Sequence, residues 1–163
     1  MLEPGTLNTP FFSVIINCHN SELYLRDALE SVLSQTFQDY ELIVFDNAST
    51  DTTAIIAKSF GSGICYYFSE VKLSLGAARN KAIMKAKGEY IAFLDSDDWW
   101  TKDKLEICIK NIDDNIDFIY HDLEIRSNNP KIFSKSLFLL ILNHSKLVNK
   151  KIKLKKNIKV KDP

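Results

Sequence analysis

The sequence predicts an α/β protein built on a mostly parallel sheet flanked by helices. Two features predict the class. Short apolar runs read as strands buried on both faces, and stretches of helical period separate them with short connections. A third observation marks the working edge. Polar clusters follow the apolar runs, as Asn17-Cys-His-Asn20, Asp46-Asn-Ala-Ser-Thr-Asp51 and Asp95-Ser-Asp-Asp98. Ligands of such sheets bind outside the carboxyl ends of the strands, so the three clusters are predicted to converge on one crevice.

The first predicted strand covers 11–17. Ser21 is placed to cap a helix whose Leu25, Ala28, Leu29, Val32 and Leu33 recur at i, i+3, i+4, i+7 and i+8. Residues 41–46 read as a second buried strand, and Asp51 opens a short helix through Ile55 and Ile56. A third strand spans 64–68. The next helix, over about 75–87, turns Ala78, Ala82, Ile83 and Ala86 inward and is ended by Gly88. Residues 90–94 form the fourth strand. Thr101 then caps a helix with Leu105, Cys108, Ile109 and Ile112 on one face, and 118–121 reads as a fifth strand. After Asn128-Asn-Pro130 the pattern dissolves. The chain thus divides into an extension (1–10), a ligand-binding domain (11–127) and a basic segment (128–163).

The chain has 163 residues, 45% hydrophobic and 26% charged, which fits a soluble globular domain and excludes disordered or fibrous classes. The best apolar run, 137–142, is far shorter than the ~20 residues of a membrane helix. The N-terminus lacks the basic start and apolar stretch of a signal peptide. Three scattered cysteines, Cys18, Cys65 and Cys108, point to reduced thiols and a cytoplasmic setting. A formal net charge of zero hides an asymmetry: residues 131–163 hold ten lysines against Asp162 alone. A solvated face is the plainer reading of those lysines. The sharper one is peripheral contact with anionic lipid at the inner face of the membrane, at roughly 1 kcal/mol per charge. No nucleic-acid partner is expected.

Asp95, Asp97 and Asp98 follow an apolar strand, where like charges repel unless a cation holds them. Hard oxygen ligands suit Mg²⁺ or Mn²⁺, commonly held by one or two carboxylates plus substrate phosphates. A solvated acidic turn is the bland alternative; the place between 90–94 and Trp99-Trp100 favours a metal–diphosphate site. An EF-hand is excluded, because Trp100 stands where that loop needs glycine. Cys18 and His19 point to opposite faces if extended, and so make a poor nucleophile–base pair. His121 and His144 have no ligand spacing around them. Neither G-x-G-x-x-G nor a P-loop is present, so diphosphate charge falls to the metal, helix N-termini and a cation such as Arg79, for which a solvated surface position is equally open.

Together these motifs resemble the donor half of family 2 glycosyltransferases. Ser13-Val-Ile-Ile-Asn-Cys-His-Asn20 is similar to the family's S-V-I-I-P-T-Y-N, and Ser31-Val-Leu-Ser-Gln-Thr-Phe37 to its first-helix ending. Glu41-Leu-Ile-Val-Phe-Asp-Asn-Ala-Ser-Thr-Asp51 resembles E-I-I-V-V-D-D-G-S-T-D. Ala77-Ala-Arg-Asn80 and Gly88-Glu-Tyr-Ile-Ala-Phe-Leu-Asp-Ser-Asp-Asp-Trp-Trp100 complete the set, in order, over roughly 11–125.

The resemblance implies a GT-A-type (Rossmann-like) fold that ends before the acceptor half. It implies metal-dependent, inverting transfer from a UDP- or dTDP-type sugar to a glycan or lipid-linked acceptor, in the assembly of a surface polysaccharide. Asn17 and His19 would line the base and ribose pocket, and Asn47 would pair with the pyrimidine edge. Arg79 would lie near the diphosphate. Asn20, Asp46 and Ser96 fall in the same donor site. Asp95 and Asp97 would be the D-x-D, with Asp97 the direct metal ligand. His19 stands for a tyrosine and Asn47 for an aspartate. The family's base is an acid in the acceptor half. After Glu124 the only acid here is Asp162, so the chain supplies no base, and a nucleotide-binding module without transfer is one alternative. Another is a haloacid-dehalogenase-type phosphohydrolase, which also places D-x-D after an apolar strand. Its motif usually opens the domain, whereas this one follows three strands.

Overall fold

In the computed structural model, residues 9–112, 118–119, 122–123, 136–137 and 141–143 are described. The most apolar strand takes the middle of the sheet. β1 (Phe12–Cys18) pairs in parallel with β2 (Tyr40–Asp46) on one side and β4 (Tyr90–Asp95) on the other, and β2 pairs in parallel with β3 (Cys65–Phe68). Phe12, Val14, Ile15 and Ile16 are fully buried, as a strand covered on both faces requires. Each such side chain stabilises the fold by ~1.5–3 kcal/mol relative to an exposed one.

Strand parity sorts the two cores. Even-numbered residues of β1, β2 and β4 pack with Leu25, Ala28, Leu29 and Val32 of α1 (Leu25–Leu33), Ala57 of α2 (Thr53–Ser59), and Leu105 and Cys108 of α4 (Lys104–Lys110). Odd-numbered Ile15, Ile43, Phe45 and Ile91 pack against Ala78 and Ala82 of α3 (Leu75–Ile83). The helical stripes read from the sequence therefore face the sheet as expected.

Past β4 the pairing turns antiparallel. β8 (Ile141–Asn143) lies beside β4 and β5 (Phe118–Ile119) beside β8, completing the order β3-β2-β1-β4-β8-β5. β6 (Asp122–Leu123) and β7 (Ser136–Leu137) form a separate antiparallel pair. The region after Pro130, which showed no pattern in sequence, thus contributes a strand that covers the β4 edge. His121, His144, Asp162 and the rest of the basic segment lie outside the described residues.

Three expected helix boundaries differ. α1 starts at Leu25 with no side-chain cap; Ser21 begins the turn with its carbonyl, which accepts from Tyr24 and Leu25 N–H. α4 starts at Lys104, and the cap expected of Thr101 comes from afar. Buried Gln35 accepts the Leu105 N–H through Oε1 at 2.9 Å while its Nε2 donates to the Thr101 carbonyl at 2.6 Å. α3 ends at Ile83, well before Gly88. Gly88 is needed elsewhere. Its N–H donates to Ser13 Oγ at 2.8 Å, and a Cβ there would sit 2.6 Å from the Phe12 carbonyl carbon. Close approach to the start of β1 demands this glycine, not helix termination.

Candidate active site

The carboxyl ends of β1, β2 and β4 bring the three polar clusters together, as expected. Asn17 and Asp95 are register partners on neighbouring strands and share the α3 face with Phe45 and Phe93. Both polar atoms of the Asn17 amide, and Nδ1 of His19, are buried without a hydrogen-bond partner among the described residues. Such groups cost ~1–3 kcal/mol each while unpaired, so this part of the crevice has hydrogen-bonding capacity to spare.

Of the other expected side chains, Asn20, Asp46, Asn47, Arg79, Asp95 and Ser96 are engaged within the protein. Asn20 adopts φ 51°, and its Oδ1 accepts the Thr50 N–H at 2.8 Å, bracing the loop after β1 to the loop after β2. Asp46 is fully buried on the opposite face from Asn17. It accepts from Ser49 N–H at 2.8 Å and from the Tyr66 hydroxyl at 2.7 Å. Burial first, then Asp46 itself, pushes the Tyr66 hydroxyl up from its ordinary value, which keeps that hydroxyl a donor. Both residues, expected at the nucleotide, thus also shape the loops, with their oxygens serving backbone or hydroxyl donors.

Asn47 bonds to the loop before α3. Its Nδ2 donates to the Leu73 carbonyl at 2.9 Å, and its Oδ1 accepts the Leu73 N–H at 2.8 Å. The edge expected to meet a pyrimidine is closed on a peptide. No sequence signal marks Leu73 for this role.

The acidic turn is built by β4 and braced from β1. Ser96 Oγ and Ser21 Oγ lie 2.9 Å apart, and Ser21 Oγ also accepts the His19 N–H at 3.3 Å. Ser96 thus anchors the turn to the Asn17-Cys-His-Asn20 cluster, and Ser21, read only as a cap, belongs to the site. Arg79 is partly buried and engaged. Its Nη2 reaches Asp95 Oδ1 at 2.6 Å and its guanidinium lies over the Phe93 ring, 5.6 Å from the centroid. Asp97 is exposed, with no partner among the described residues. Burial first, then Asp97 and Asp95, raises the Asp98 carboxyl above its ordinary value. Among the described residues no group of three or more His, Cys, Asp or Glu side chains could hold a metal. A cage is not what a diphosphate-bridging ion needs. One or two carboxylates and the phosphates suffice, and the exposed Asp97 with the second oxygen of Asp95 supplies that hard-oxygen set. Cys18 is no nucleophile: it is buried, and burial, then Asp46 and Asp51, push its thiol well above the ordinary range.

Residues 13–162 match the family described as glycosyl transferase family 2. An uncharacterized glycosyltransferase of Rickettsia typhi is 40% identical over 115 residues, covering 69% of this chain and 36% of its own length. An Escherichia coli enzyme, UDP-Glc:alpha-D-GlcNAc-diphosphoundecaprenol beta-1,3-glucosyltransferase WfgD, is 40% identical over 119 residues, covering 72% of this chain and 47% of its own. Among solved structures, residues 1–349 of S. aureus TarS in complex with UDP-GlcNAc align with a TM-score of 0.72 at 26% identity, covering 85% of this chain and 47% of that one. The chain therefore spans less than half the length of these relatives.

Proposed function

Because the chain belongs to glycosyl transferase family 2 and has the GT-A fold, we propose that residues 11–127 bind a nucleoside diphosphate sugar of the uridine or thymidine type for transfer to a glycan or lipid-linked acceptor. The observation that carries this reading is the set of three unpartnered buried atoms on Asn17 and His19, beside an acidic turn at the carboxyl ends of a parallel sheet. The names of WfgD and of the TarS complex, which cite UDP sugars, support the uridine choice. The dehalogenase-type alternative falls with the family match.

In this reading Asn17 and His19 give their free polar atoms to the base and ribose. Arg79 holds Asp95 Oδ1, which leaves Oδ2 and the Asp97 carboxylate to hold Mg²⁺ or Mn²⁺. When bound, that ion neutralises charge on the leaving diphosphate. Transfer with inversion then requires a carboxylate to take the acceptor proton as its oxygen attacks C1. No described residue is assigned that role.

Titration calorimetry with UDP, with and without Mn²⁺, tests the site. Asp97→Ala is expected to lose the Mn²⁺-dependent gain and bind at least about tenfold more weakly in its presence, a loss of ~1.4 kcal/mol. Equal Mn²⁺-dependent binding by wild type and variant would overturn the metal assignment.

A further inference from the structure

Asn47 stands at the end of β2 and is 7% exposed. Its own N–H donates to the Cys18 carbonyl at 2.8 Å, so its backbone is fastened to the end of β1. Its side chain closes on both peptide groups of Leu73, at 2.8 and 2.9 Å. A primary carboxamide has one edge on which the oxygen and an N–H lie side by side, and here that edge is used. The lone pair and N–H that remain diverge, and cannot together meet the imide edge of a pyrimidine. Two-point base reading and the Leu73 clamp therefore exclude one another.

The clamp sits at a joint. Ser69, at the start of the same loop, donates its N–H to the Asp46 carbonyl at 2.8 Å, so the 69–74 loop is pinned to the end of β2 at both ends. The next residue, Ser74, caps α3 by accepting the Ala77 N–H. α3 then carries Arg79 to Asp95. A continuous series of bonded groups runs from the end of β1 through Asn47 and Leu73 to the acidic turn.

We propose that Asn47 is a positioning residue: it acts on the donor nucleotide by setting the 69–74 loop, and through α3 the Arg79–Asp95 pair, and does not read the base. The proposal rests on the donor-binding reading above. An aspartate at 47 keeps the acceptor for the Leu73 N–H but sets a carboxylate against the Leu73 carbonyl, which breaks half of the clamp. Leu73→Pro breaks the other half by removing the N–H. Leu73→Ala, which keeps it, controls for lost packing.

The experiment measures UDP and GDP binding by calorimetry for wild type, Asn47→Asp, Leu73→Pro, Leu73→Ala and the Asn47→Asp/Leu73→Pro double variant, with thermal melts to confirm folding. Each clamp-breaking variant should weaken UDP binding about tenfold and GDP binding by the same factor, leaving the UDP:GDP ratio unchanged. The double variant should be no worse than the weaker single, because both changes break one link. Base reading gives opposite results: Asn47→Asp shifts the UDP:GDP ratio, and Leu73→Pro frees the amide edge and tightens UDP. Either outcome overturns the proposal. Amide exchange of Leu73 in the free wild-type chain needs no variant and no nucleotide; rapid, unprotected exchange would also overturn it. Failure of wild type to bind UDP would instead sink the donor-binding reading, and the Leu73 amide would still judge the clamp.

Discussion

At Ala48 the backbone turns through φ 62°, in the left-handed region that costs a residue with a Cβ ~1–2 kcal/mol. The family pattern has glycine there. The turn is nonetheless enforced, because Asp46 Oδ1 takes the Ser49 N–H and Asn47 is fastened on both sides. Ala48→Gly relieves the strain but frees the unfolded chain, so we expect a net gain of about 0.5–1 kcal/mol, seen as a higher urea midpoint at unchanged slope. An unchanged or lower midpoint would show that the loop has relaxed the strain elsewhere. Asn20, at φ 51°, meets the same geometry with a side chain that tolerates it and accepts the Thr50 N–H. Both left-handed residues lie in the loops that carry the site, where strain commonly accumulates.

Elements were legible in sequence where burial repeats with their own period, and illegible where a distant residue finishes them. Leu25, Ala28, Leu29 and Val32 announce the inner face of α1, and all four are buried. The start of α4 cannot be read locally, since its cap is Gln35, on the far side of β2, β3, α3 and β4 in sequence. The site divides in the same way. Asp95 and Asp97 stand out because carboxylates after an apolar strand are conspicuous. The clamp of Asn47 depends on a main-chain group of Leu73, which has no signature. α2 shows a local device that did read. Asp51 precedes it, with Oδ1 accepting the Thr53 N–H at 3.0 Å and Oδ2 the Glu22 N–H at 3.2 Å. Burial alone would raise the Asp51 carboxyl; the hydrogen bonds from Thr53 and Glu22 outweigh it and hold the group below its usual 3.8. A depressed folded-state value means stability that is complete above the unfolded value and lost as pH falls through the folded one. Asp51→Asn should therefore be less stable than wild type at pH 7, with the gap narrowing below about pH 4 as wild type itself becomes protonated. A gap of constant size across that range in urea titrations would remove the charge from the account.

For the whole molecule, the placing of β1 matters most. It is the first strand of the described fold and the central one, and its parallel partner β4 begins only at Tyr90. Strand β4 completes both cores, through Tyr90, Ala92 and Leu94 on one face and Ile91 on the other. A chain stopped at Gly88 keeps β1, β2 and β3 yet leaves β1 with a bare edge, and we expect it to show no cooperative urea transition where the 163-residue chain shows one. A sigmoidal unfolding curve from that fragment would mean that three strands suffice. The same placing orders events in time. During synthesis the strand at the heart of the sheet emerges before its partner β4 and stays open on one side until Tyr90–Asp95 has left the ribosome, at speeds of ~5–20 residues per second. For those seconds Phe12–Cys18 offers unpaired N–H and C=O groups along an apolar strand, a template for any neighbouring nascent chain.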